Sequence, residues 1–306
     1  MADIRKVATR QSYGEALVEL GAAHDDFVVL DADLAAATQT GKFKAAYPDR
    51  FIDVGIAEQN LMGVAAGIAT TGHRVFASTF AMFAAGRAFE QVRNSIGYPH
   101  LHVVIGATHA GMSVGEDGAT HQCNEDLALM RAIPGMTVIV PSDDVEAKAA
   151  VRAAYEAEGP VYVRLGRLPV PVIHKDDYHF ELGRGVIERE GSDVTVVACG
   201  LEVPAALEAA KTLADKGMSC EVINMATIKP LDGDLIVASA RKTGRVVTVE
   251  EHSVIGGLGS AVCDLLCEAC PTPVKKIGVN DVFGESGPAL DLLAKFGLDG
   301  AGVAAA

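Results

Sequence analysis

The sequence predicts an α/β protein built from a mainly parallel-sheet domain and a second, smaller α/β domain. Short apolar runs alternate with longer stretches of helical spacing through the first half. The alternation stops over residues 168–180 (LPVPVIHKDDYHF), where two prolines and mixed charges show neither period, and it then restarts. Strands regularly separated by helices imply a parallel sheet covered on both faces.

Residues 9–23 carry apolar side chains at helical spacing, and residues 27–30 form a short apolar strand ending at Asp31-Ala32-Asp33. A helix is expected over 59–70, a strand over 74–77 and a helix over 80–96. A strand over 102–106 leads into a glycine-rich loop at 110–119, followed by a helix near 125–131, a strand at 137–140 and a helix over 144–157. The resulting division is 1–168 for the first domain, 169–184 for a linker and 185–306 for the second domain. Beyond the linker, strands are expected at 193–198, 220–224 and 245–250, and helices at 204–216, 234–243 and 258–269.

With 306 residues, 49% of them apolar, the chain can fill two medium cores. A formal charge of −14 opposes general affinity for nucleic acid or anionic membranes, yet permits a locally basic pocket for a phosphate. No run approaches the roughly 20 apolar residues of a membrane span, and the N-terminus is charged where a signal peptide needs an apolar stretch. A soluble, cytoplasmic protein is expected. The six cysteines are scattered. Cys263, Cys267 and Cys270 share a helical face, but without a fourth ligand they are read as buried packing, and no metal site is expected in this chain.

Two motifs carry chemistry. Residues 53–60 (DVGIAEQN) place Glu58 between an apolar strand and a long apolar helix. There a carboxylate can cap the helix or do chemistry. Residues 108–122 (THAGMSVGEDGATHQ) put His109, His121, two adjacent acids and several glycines on one loop after a strand, a surface suited to moving protons and holding anions.

Together these motifs resemble the pyrimidine-binding and C-terminal domains of transketolases, and specifically the separate small subunits of split transketolases, over essentially the whole chain. The resemblance implies a thiamine diphosphate-binding domain of the pyrimidine type followed by a transketolase C-terminal domain. It implies that Glu58 hydrogen-bonds the cofactor's aminopyrimidine, that Phe80 and Phe83 pack on that ring, and that Asp33 lies at the cofactor. A helical core stripe would also explain the two phenylalanines. A third family aromatic falls at Gly86, or at Phe89 if a gap is allowed. His121 and Asp117 would act on the sugar hydroxyls, while His109, Arg167 and Arg10 would hold a sugar phosphate. Ala37 stands where many relatives carry a phosphate-binding serine, and the neighbouring Thr38 is a candidate replacement.

The family's Gly-Asp-Gly metal motif does not occur; residues 232–234 are Asp-Gly-Asp, in the second domain. The resemblance therefore implies that Mg²⁺ and the diphosphate are held by a separate N-terminal-type subunit, with the cofactor shared across the interface. It also implies a homodimer of this chain within an α2β2 heterotetramer. The activity implied is transfer of a two-carbon ketol unit from a ketose to an aldose, phosphorylated or not, in the pentose phosphate route or a specialised sugar pathway. Alternatives are a 1-deoxyxylulose-5-phosphate synthase-like chain, a 2-oxo acid dehydrogenase beta-like subunit, and a non-catalytic regulatory subunit. The last would lack Glu58 or His121, and both are present. The pair Glu250-Glu251 with His252 is read as a strand end.

Overall fold

The computed structural model describes residues 5–306. Its strands, in chain order, are β1 (Lys6–Ala8), β2 (Phe27–Asp31), β3 (Phe51–Asp53), β4 (Arg74–Phe80), β5 (Val103–Thr108), β6 (Thr137–Ile139) and β7 (Val161–Arg164). There follow β8 (Pro169–Pro171), β9 (Val186–Arg189), β10 (Val194–Ala198), β11 (Cys220–Asn224), β12 (Thr227–Lys229), β13 (Val246–Ser253) and β14 (Val274–Val279). The first sheet runs β12-β6-β7-β5-β4-β2-β3, and is parallel except for β12; the second runs β14-β13-β10-β11-β9, with β9 antiparallel.

Alternation along the central strands buries both faces of the first sheet. Phe27, Phe76 and Val104 point to one side, against Tyr13 and Leu17 of helix Thr9–Ala23 and Ala150 and Val151 of helix Asp144–Glu156. Val75, Ala77 and Ile105 point to the other, against Leu61, Met62 and Ala65 of helix Glu58–Ala69. These runs are apolar at nearly every position because a sheet covered on both faces leaves no polar side. After β3 the chain returns past β2 to lay down β4, so the order reverses at the β2–β4 boundary. The crevice beyond the carboxyl ends of strands at such a switch point is where open α/β sheets bind ligands.

Several elements differ from the sequence expectation. The stretch expected as one helix over 80–96 begins as the end of β4. It continues as two π-helical turns, Met82–Arg87 and Val92–Gly97, around a short helix Phe89–Gln91. Buried Ala84, Ala85 and Ala88 have side chains small enough for these wider turns to press on the core.

The segment expected as a linker contains β8, which pairs antiparallel with β1. Its two prolines are tolerated because this is a two-stranded ribbon with free edges. The same segment is pinned at His174, whose ring lies 3.1 Å from Asp143 and 2.9 Å from Glu188, in the first and second sheet regions respectively. Strand β12 comes from the second half of the chain yet joins the first sheet beside β6. Lys229 fastens it there, donating to the carbonyls of Arg131 at 2.9 Å and Ile133 at 2.6 Å.

Cys263 and Cys270 are half-buried and Cys267 is exposed. The buried face of helix Leu258–Ala269 is Leu258, Ala261, Val262 and Leu266, so the cysteines sit on its flank rather than in the core. Among the described residues no helix is long and apolar enough to cross a membrane, and no cluster of three potential metal ligands occurs.

Candidate active site

Glu58 is the first residue of helix Glu58–Ala69, just past β3, and is 5% exposed. Its nearest cation is Arg87, with Nε 3.9 Å from the carboxylate. Among the described residues nothing donates a hydrogen bond to that carboxylate, so it does not form a capping box. A buried acid at the positive end of a helix with unspent acceptors is available to an outside donor. Arg87, which sequence reasoning missed, belongs to the Met82–Arg87 turn and follows Phe83 by four residues, the one signal that could have found it.

Phe80 ends β4, and Phe83 follows on the first π-helical turn. Their rings lie 5.8 Å apart and 16° from parallel, a stacked pair rather than a core stripe, since Phe83 stays half-buried. Phe83 and Arg87 together line a cavity of about 730 Å³ with Met82, Thr120, Gln122 and Phe283. Gly86 adds no aromatic surface, and Phe89 packs against the core.

The loop after β5 brings both histidines to the same place. His121 meets Phe83 edge-on at 5.4 Å, and its Nδ1 is 2.9 Å from the hydroxyl of Thr120. His109 stacks on Phe80, with Nδ1 3.0 Å from the Thr108 hydroxyl. It takes a left-handed backbone (φ 55°), which turns the chain sharply at the strand end. Burial, reinforced by the Arg10 and Arg167 guanidinium groups, pushes its pKa down to about 3, so the imidazole is neutral.

Arg10 and Arg167 line a second cavity of about 570 Å³ with Gln39, Ser113 and Glu116. Arg10 donates to the Ala37 carbonyl at 2.8 Å; Arg167 donates to the Val114 carbonyl and reaches Glu116 at 3.0 Å. Burial and the charge of Arg167 lower the Arg10 pKa, the mark of two cations held together without a full complement of anions. Thr38 does not replace the serine missing at Ala37. Its hydroxyl is buried and donates to Asp31 at 2.7 Å, within a network shared with Thr40.

Asp33 and Asp117 are not among the residues that these contacts bring together. Asp33 is exposed, left-handed (φ 62°) and held through its N–H by Asp53 at 3.0 Å. Asp117 is exposed at the end of the short 3₁₀ segment Met112–Asp117. Neither lines the two cavities. Asp232, in the Asp-Gly-Asp run, caps the helix Gly233–Thr243 by accepting from Leu235 N. Glu250 lies within β13 and accepts from the N–H groups of Leu258 and Gly259 at 2.7 and 2.8 Å.

Known proteins share this architecture. Residues 5–172 match the family model of the transketolase pyrimidine binding domain, and residues 183–303 that of the transketolase C-terminal domain. A Methanocaldococcus jannaschii protein named as a transketolase C-terminal section is 51% identical over 96% of this chain and 93% of its own length. A 6-deoxy-6-sulfo-D-fructose transketolase subunit from Clostridium sp. is 45% identical over 94% of this chain and 90% of its own. A solved split gene transketolase, an inactive beta4 tetramer, superposes with a TM-score of 0.92 at 58% identity, covering 98% of this chain and 96% of that one.

Proposed function

Because the chain belongs to the transketolase family and carries its pyrimidine-binding and C-terminal domains, we propose that it supplies half of a thiamine diphosphate-dependent ketol-transfer site. The other half belongs to a separate N-terminal-type subunit. The observation that carries this reading is Glu58: a buried carboxylate with no internal hydrogen bond, 3.9 Å from Arg87 on the same turn that carries Phe83 of the stacked Phe80–Phe83 pair.

These residues fit the cofactor's aminopyrimidine. An unspent buried acceptor suits a protonated ring nitrogen, and a flat aromatic surface suits the ring face. When bound, the cofactor supplies a nucleophilic carbon that takes up the two-carbon unit. Glu58 holds or shares a proton at the pyrimidine nitrogen, Phe80 and Phe83 orient the ring and exclude water, and Asp33 borders the same site. His121, beside Phe83, handles protons on sugar hydroxyls, and Asp117 reads a hydroxyl from the loop's exposed edge. Neutral His109 donates or accepts a hydrogen bond without adding charge. Arg10 and Arg167 hold the terminal anion of the substrate, with guanidinium forks matched to phosphate or sulfonate oxygens.

The sequence lacks the Gly-Asp-Gly motif, so Mg²⁺ and the diphosphate belong to the partner subunit in this reading. Exposed Ile56 and Tyr98 give the first domain apolar surface for such a partner. Two copies of each subunit would form an α2β2 assembly. Alone, this chain is expected to self-associate without turnover, as the name of the solved relative states for that protein. Calorimetry and a coupled ketol-transfer assay on the chain, with and without the candidate partner in Mg²⁺ and thiamine diphosphate, test the proposal. Tight cofactor binding and turnover only in the mixture support it; both properties in the isolated chain overturn it.

A further inference from the structure

We infer that Glu251 of the second domain is a positioning residue for the first domain's loop 109–121, the loop that presents His109, Asp117 and His121. The second domain thereby acts as the mould of the substrate site.

Glu251 is 4% exposed near the end of β13, and its carboxylate accepts the backbone N–H of Ser113. Room for it exists because residue 111 is glycine. A Cβ on Gly111 would stand 2.4 Å from the Glu251 Cδ, and the left-handed backbone there (φ 76°) also favours glycine. The loop's returning end is tied to the same strand through Arg164 of β7. Arg164 donates to the carbonyl of Glu251 at 3.0 Å and to that of Cys123 at 3.1 Å. Its Nε is fixed by Asp126 at 2.8 Å.

The second domain also touches the loop along its length. Just past the loop, the Gln122 amide donates to the Glu285 carbonyl at 2.9 Å, and the Ser253 N–H donates to that of Asn124 at 2.7 Å. A Cβ on Gly118 would meet the Ser286 hydroxyl at 2.3 Å. A loop that carries three substrate-facing groups needs its backbone fixed by contacts outside itself. Among these contacts the Glu251–Ser113 bond is the one that a second-domain side chain makes to a backbone N–H of the loop itself.

Burial pushes the Glu251 carboxyl up to about 7, against the pull of Arg164 and of the Ser113 N–H. A neutral amide that still accepts the N–H is therefore a fair replacement, and Glu251→Gln serves as the conservative control. The test is amide hydrogen exchange on the full chain for the unaltered protein, Glu251→Ala and Glu251→Gln. Glu251→Ala is expected to speed exchange in 110–118 roughly tenfold, the effect of one lost hydrogen bond, with helices 144–156 and 258–269 unchanged. Glu251→Gln is expected to restore protection. Glu251→Asp, which keeps the charge but shortens its reach, should show the same local loss if Glu251→Ala folds poorly.

Unchanged loop exchange in folded Glu251→Ala overturns the inference. So does loss of protection spread evenly over the second domain, or a Gln variant as exposed as the Ala variant. The substrate role of the loop rests on the transketolase reading. If the unaltered chain shows no turnover with its partner, that reading fails, while the exchange result still decides whether Glu251 positions the loop.

Discussion

Phe80 stacks on His109, with ring centroids 3.8 Å apart and planes 25° from parallel. In the proposed site the ring surface for the cofactor and the imidazole for the sugar are thus one packed unit. Burial and two neighbouring guanidinium groups hold that imidazole near a pKa of 3. In an NMR titration His109 should stay neutral from about pH 5 to 9. A bound sugar phosphate should move its pKa upward, because the anion offsets Arg10 and Arg167. Titration near the ordinary 6.5 in the free chain would show that the two cations do not act on it.

Glu58→Gln should leave the melting temperature unchanged, since the carboxylate has no internal hydrogen bond to lose, while turnover of the reconstituted enzyme falls about 10²–10⁴-fold. The amide keeps the shape but cannot hold the proton as a carboxyl does. A variant that turns over at the unaltered rate would return Glu58 to a structural role at the helix terminus.

Arg167→Ala should weaken use of a phosphorylated substrate by about 1.5–3 kcal/mol, roughly a 10- to 150-fold fall in kcat/KM. An unphosphorylated analogue should be nearly indifferent. Comparing the two substrates on one variant separates phosphate recognition from a general disturbance, and equal losses on both would remove Arg167 from the anion site.

His174 should give a pH-dependent contribution to stability. Burial works against its charge, but Asp143 and Glu188 outweigh burial and hold the pKa up to about 10, above the ordinary 6.5. The charged form is therefore favoured by folding. Its stabilisation is complete below pH 6.5 and is lost as the pH rises through about 10. His174→Gln should cost about 3 kcal/mol in urea unfolding near pH 6, the scale of a broken buried ion pair. The gap to the unaltered protein should close toward about pH 10.5. A gap that does not vary with pH would mean the ring acts by packing on Tyr178 alone.

Much of this was legible from residue pattern. Helix Thr9–Ala23 and strands such as Cys220–Asn224 lie where the spacing puts them, because long periodic runs and β-branched clusters carry their own signal. Strand β7 was missed although Val-Tyr-Val-Arg after Gly159-Pro160 carries the β-branched and aromatic signal of a strand. Strand β8 hid behind its prolines, and β12 has three residues whose place depends on β6 rather than on local preference. In the site, Glu58, His109 and His121 stood out because acids and histidines beside glycines have few other reasons to gather. Glu251 did not, because its partner is a backbone N–H 138 residues away in sequence, and no local pattern records that.

Strand β12 sets a boundary on how this protein can be rebuilt. The first sheet is finished by Thr227–Lys229, a piece of chain that lies well past the region matched by the pyrimidine-binding family model. A truncation near residue 172, or a chimera that takes its second half from another protein, removes the cover from β6 and bares a strand edge able to recruit any neighbouring chain. The two domains are consequently not interchangeable cassettes: a working graft must carry its own version of that closing strand.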